Sequence, residues 1–112
     1  MSSLGQARGT FVEHSETIDL EGTNSTASLN ISEAQNVVFQ VLETGFNTSW
    51  VCTLECSLDD TNWQVIADQT VAFNTSPPLK ATTPVNAKFV RITVTTTETG
   101  GTSTGAVIIQ AK

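Results

Sequence analysis

The strongest constraint on the fold is an alternation that recurs along the whole chain. In the run Trp50-Val51-Cys52-Thr53-Leu54-Glu55-Cys56-Ser57-Leu58 the apolar members at 50, 52, 54, 56 and 58 alternate with more polar neighbours. That period of two belongs to a strand with one buried face. Similar β-branched and aromatic runs return every eight to twelve or so residues between turn signals, and no helical period of useful length interrupts them. Strands are predicted at about 11–20, 27–31, 36–43, 48–58, 63–71, 79–83, 87–97 and 105–111. One helical turn is predicted at Ser32–Gln35.

The connections carry turn chemistry. Asp59, Asp60, Thr61 and Asn62 form a short polar hairpin loop whose Asp or Asn can accept positive φ. Asn74–Pro78 is a break, because its two prolines cannot donate to a ladder and each holds the preceding residue extended. Glu98–Gly105 reads as a flexible loop before the last strand. Seven or eight antiparallel strands in 112 residues imply an all-β, single-domain β-sandwich of jelly-roll type over 11–112. The preceding Met1–Thr10 sets Leu4 and Arg8 among Ser, Gly and Gln. It is expected to be disordered alone and to order on a partner.

Charge narrows the partners. Five Lys and Arg against eleven Asp and Glu give −6 and a pI near 4.4, so there is no basic footprint for nucleic acid or an anionic membrane surface. Only 14% of residues are charged, against roughly 25% in an average chain, and Thr, Ser and Asn carry the polarity instead. Thr93, Thr95 and Thr97 face outward opposite an inward set of Val90, Ile92 and Val94. A hydroxyl-rich surface with few lysines is poorly protected against edge pairing, so lateral association is expected. No apolar stretch near the start serves as a signal core or membrane span, and synthesis in the cytosol is expected. The N-x-S/T triplets at Asn24, Asn30, Asn47 and Asn74 then read as accidents of composition.

Cys52 and Cys56 are four strand steps apart, about 13 Å between Cα atoms, where a disulfide needs roughly 7 Å or less. They are predicted to be reduced core thiols. Zinc would need further ligands, and His14 is the single histidine. Asp59, Asp60 and Asp68 are of the right type for Ca²⁺, yet turns use Asp for backbone reasons; neither a metal nor another cofactor is expected. His14 lies among Glu13, Ser15 and Glu16, but neighbours in a strand point to opposite faces, so His14 is expected to be exposed and no catalytic residue is assigned. No G-x-S-x-G, glycine-rich phosphate loop or H-E-x-x-H occurs, and an enzyme is not expected.

Leu54–Ile66 (LECSLDDTNWQVI), Ala87–Thr95 (AKFVRITVT) and Gly105–Lys112 (GAVIIQAK) together resemble a pattern found in small bacteriophage virion proteins: S-x-D-G-x-x-W, a later A-x-[FY]-[VI]-R strand, and a Thr/Gly-rich hairpin that closes a jelly roll. Discoidin-like, galactose-binding-type β-sandwiches share the first two signatures. The matching positions are Ser57, Asp59, Trp63, Phe89, Val90 and Arg91, with Asp60 standing where the pattern has Gly. The resemblance covers the second half of the chain. It implies that Trp63 covers the sandwich end and that Arg91 sits beside an acidic turn, to pair with Asp59, Asp60 or Glu55. It further implies a capsid decoration, or cement, protein on the capsid exterior. Its partners would be the major capsid protein and further copies of itself as a dimer or trimer, with Leu4, Arg8 and Phe11 as candidate partner contacts. The alternatives are a tail, neck or fibre component and a carbohydrate-binding module. For the latter the available rings are Trp50, Trp63, Phe46 and Phe73; Trp50 is assigned to the core with Cys52 and Leu54, which leaves Trp63 as the candidate sugar platform.

Overall fold

The computed structural model describes residues 12–31, 36–45, 49–73, 79–99 and 102–112. The expected helical turn at Ser32–Gln35, the break at Asn74–Pro78, Phe46, and the arm with Leu4, Arg8 and Phe11 lie outside the described residues. The described residues form eight strands: β1 (Val12–Asp19), β2 (Leu29–Asn30), β3 (Asn36–Gly45), β4 (Val51–Ser57), β5 (Gln64–Ala72), β6 (Leu79–Pro84), β7 (Phe89–Thr96) and β8 (Ser103–Ala111).

They form two four-stranded antiparallel sheets, ordered β1-β8-β3-β6 and β2-β7-β4-β5. The first strand pairs with the eighth, the second with the seventh, the third with the sixth and the fourth with the fifth. A single long hairpin has been rolled up so that β8 also meets β3 and β7 meets β4. That is the jelly roll. Its core fills the space between the sheets with Leu20, Ile31, Phe39, Trp50, Leu54, Ile92 and Ile109, all essentially buried. Val90, Ile92 and Val94 point inward as predicted, and Trp50 is buried with its Nε1 donating to Glu43 Oε1 at 2.9 Å.

Several expectations need correction. Leu58 does not continue the inward row: β4 ends at Ser57, and Leu58 is 74% exposed on the hairpin. Cys52 and Cys56 are free thiols, but only Cys52 is fully buried and Cys56 lies half-buried at the end of the core. The last strand starts at Ser103 rather than 105, with Gly105 inside it and facing inward. A Cβ at Gly105 would come within 2.9 Å of Val41 Cγ1 and 3.2 Å of Leu20 Cδ2, so glycine is there to admit its neighbours and not to make a loop. His14 is half-buried rather than exposed, because alternation puts it on the same inner side as Glu16, whose Oε1 lies 2.8 Å from His14 Nε2. Glu16 also accepts the Ala27 N–H at 2.9 Å and so ties β1 to the approach to β2.

The four sheet edges are each protected by a different device, despite the shortage of lysine. β1 carries Glu13, Glu16 and Asp19, β2 is two residues long, and β6 ends on Pro84. β5 is distorted by a bulge in which residues 66–69 face Leu54 alone, with Asp68 at φ 65°. Among the described residues each edge thus carries a feature that discourages edge-to-edge pairing. On the first sheet the register aligns Leu42 with Ala106 and Thr17, Gln40 with Ile108 and Ser15, and Val38 with Gln110 and Glu13.

Candidate partner-docking face

The β4–β5 hairpin sets up the outer face of the second sheet. Ser57 Oγ donates to Asp59 Oδ1 at 3.0 Å and accepts the N–H groups of Asp59 and Asp60 at 3.2 and 2.9 Å. Asp59 Oδ1 accepts the N–H groups of Thr61 and Asn62 at 2.9 and 2.8 Å, and Oδ2 accepts Asn62 Nδ2 at 2.7 Å. The Asn62 N–H first, then Thr61, the Asn62 side chain and Ser57 hold the Asp59 carboxyl well below the usual carboxylate range. Asp60 has φ 63°. The position where the pattern has Gly thus takes a left-handed conformation that Asp tolerates better than most residues.

This turn delivers Trp63 to the start of β5, half-buried, where the Arg91 guanidinium of β7 stacks over its ring at 4.2 Å from the centroid. Arg91 pairs with Glu55, not with Asp59 or Asp60: the hairpin carboxylate is already occupied by the turn, whereas Glu55 sits directly opposite Arg91 across β4 and β7. Arg91 Nε donates to Glu55 Oε1 at 2.8 Å, with the two side chains 26% and 12% exposed. Thr93 Oγ1 donates to the same oxygen at 2.7 Å and lies 2.8 Å from Ser25 Oγ. Thr53 and Thr95 join their hydroxyls at 3.2 Å on the same face. Val65, paired with Glu55, adds an apolar neighbour that is 48% exposed.

The result is a preset patch. The Arg91 plane is fixed by a ring on one side and a carboxylate at Nε, and among the described residues no acceptor engages its Nη groups. They remain available to a partner's carbonyl or carboxylate. Trp63 and Arg91 are residue types that dominate binding energy when a partner seals them from water. As a sugar platform Trp63 has one ring face already covered by Arg91.

Beside the patch a recess of about 400 Å³ opens at the sandwich end, with Leu58, Asn62, Gln64, Asn86 and the Cys56 thiol in its lining. Burial, and then the Glu55 charge, push the Cys56 thiol upward, so it is a poor nucleophile near neutral pH. Among the described residues no three His, Cys, Asp or Glu side chains gather as a metal site requires. His14 faces Glu16, while Ser15 is exposed and paired with Ile108 on the opposite face.

The sequence offered Asp59, Asp60 and Glu55 alike as partners of Arg91, and it missed the contributions of Ser25 and Thr53 and the recess around Asn86. Those depend on which strands become neighbours, and no local motif carries that information. Compared with known proteins, the chain matches no family model, and no curated protein or solved structure is detectably similar to it.

Proposed function

We propose that the protein is a bacteriophage virion structural protein, a capsid decoration protein that binds the outer capsid surface and stabilises it through protein–protein contacts. The observation that carries this reading is the patch in which Arg91 is stacked on Trp63 and bound to Glu55. Fixing those side chains before binding removes much of the ordering cost that a partner would otherwise meet. The hairpin and β7 residues that build the patch are the ones that resemble small phage virion proteins, and an acidic jelly roll with guarded edges suits a role that needs contact rather than chemistry. The partner is the major capsid protein, on the virion exterior. A specific contact of this kind covers about 800 Å² on each side, and repetition over a shell multiplies a modest single-site affinity.

Co-sedimentation of the purified protein with capsids that lack it tests this. Saturable binding at a fixed ratio to the major capsid protein, weakened at least tenfold by Arg91→Ala, is expected. Deleting Met1–Thr10, which holds Leu4 and Arg8, should weaken binding without unfolding the sandwich. A folded protein that ignores capsids but sediments with isolated tails would move the same interface to a tail, neck or fibre partner.

The recess favours a second reading, a carbohydrate-binding module. Three primary amides, the Asp59 carboxylate and an exposed leucine around about 400 Å³ suit the hydroxyls and apolar face of one sugar ring. A glycan array with specific, millimolar or tighter binding, lost in Asn86→Ala, would favour it over decoration.

A further inference from the structure

Among the described residues, the outer face of the β1-β8-β3-β6 sheet carries little charge, although the chain carries −6. On its two central strands Val38, Gln40 and Leu42 stand beside Gln110, Ile108 and Ala106. The charged positions on that face among the described residues lie at its border, Glu13 and Asp19 on the rim strand β1 and Lys112 just past the end of β8, and Glu13 is bonded to Gln110 Nε2 at 2.7 Å. The face also has relief. Leu42 stands 46% exposed as a knob, and one turn of the pleat away a dimple of about 110 Å³ lies among Val38, Gln40, Ile108 and Gln110. An apolar cavity of about 150 Å³ holds a benzene molecule, so this dimple suits the isobutyl group of a leucine.

We propose that this face binds a second copy of the chain in a two-fold dimer, with each Leu42 seated in the other copy's dimple. Knob and dimple lie on one surface, displaced along β3, so a two-fold axis across the strands near Gln40 brings each over its complement. That reciprocity is what an isologous contact requires. An unrelated partner would have no reason to find both halves of the match on this side. Four strands at about 4.8 Å and eight residues at about 3.4 Å outline a face of about 500 Å². Two such faces bury about 1,000 Å², which is at the lower bound for a specific interface. An interface of that size is at the small end for a stable dimer, so a monomer–dimer equilibrium is the expected behaviour. Charge sets a second signature: two chains of −6 repel, and the carboxylates stay at the rim, so added salt tightens the dimer.

Sedimentation velocity of the full chain from about 5 to about 500 µM, at low and at moderate salt, reads this directly. A monomer–dimer equilibrium that tightens with salt is expected. Ile108→Lys and Leu42→Lys should each weaken it at least tenfold, while Thr95→Lys, on the other sheet, leaves it unchanged. Leu42 is exposed enough that its variant keeps the wild-type melting temperature. A wild-type protein that stays monomeric throughout, a trimer, or lysine variants that dimerise normally would overturn the proposal. So would a monomeric wild type whose capsid binding is abolished by Leu42→Lys, because the face would then belong to the capsid. Capsid binding through Trp63 and Arg91 that survives in the Leu42→Lys monomer leaves the two contacts separate, as proposed.

Discussion

Removing the Glu55 carboxylate tests whether the patch is held as the geometry implies. Glu55 Oε1 receives two short bonds, from Arg91 Nε at 2.8 Å and Thr93 Oγ1 at 2.7 Å. An exposed ion pair contributes about 0.2–1 kcal/mol, and a buried hydrogen bond to a charge about 1.5–3 kcal/mol. With Arg91 26% and Glu55 12% exposed, the pair falls between these limits. The Glu55–Arg91 coupling should be about 1 kcal/mol, and Glu55→Ala should cost about 2 kcal/mol in all, because Thr93 keeps Ser25 as a partner. Arg91→Ala should cost a similar amount, about 0.5–1 kcal/mol of it from the lost stacking on Trp63. Urea unfolding of wild type, Glu55→Ala, Arg91→Ala and the double variant, followed by tryptophan fluorescence, gives the coupling from the cycle. A single-variant loss near 2 kcal/mol lowers the midpoint by about 1 M for a slope near 2 kcal/mol/M. A coupling below about 0.3 kcal/mol, the usual error of additivity, would refute the reasoning. Arg91 would then be held by Trp63 alone.

Gly105→Ala should destabilise by about 1–3 kcal/mol through overpacking against Val41 and Leu20; Val41→Ala in the same chain should restore part of the loss, as urea midpoints will show. Burial pushes the Cys52 thiol up to about 12, so a disulfide reagent at pH 8 should modify Cys56 slowly and reach Cys52 only at the rate of global unfolding. Rapid modification of both would contradict the packing. The folded-state carboxyl of Asp59 is depressed by its turn bonds and that of Glu16 by His14 and the Ala27 N–H. A depressed carboxyl binds fewer protons folded than unfolded. Its stabilisation is therefore present above the unfolded value near pH 4 and is lost as pH falls toward the folded one. Melting temperature should accordingly fall on acidification below about pH 4, and Asp59→Asn should flatten that acid limb. An unchanged slope would contradict this.

The sandwich was legible because strand patterning is local. The alternation in Trp50–Leu54 and in Val90–Val94 specified both strands and their inner faces, and the polar run Asp59–Asn62 marked a hairpin with a left-handed Asp or Asn, which the structure places at Asp60. What failed was information that belongs to pairs of strands. Leu58 fits the alternation but falls beyond the last ladder residue, since Ser57 turns its hydroxyl to the hairpin. Gly105 has loop composition, yet it is fixed inside β8 by the side chains of Leu20 and Val41, distant in sequence. The acidic partner of Arg91 was one of three in the sequence, and register alone selects Glu55. The weakly charged outer face of the first sheet arises only when β3 and β8 are neighbours, and with four strands between them in the chain no local pattern announces that pairing.

Hydroxyl-radical footprinting of the protein, free and on capsids, tests the docking face most directly, because Trp50 is buried and Trp63 is not. The account predicts that oxidation of Trp63 and Val65 drops at least several-fold on the particle, while the already protected Trp50 does not change. Trp63 and Val65 that stay as reactive on the particle as in solution, in a protein that nevertheless sediments with capsids, would contradict it.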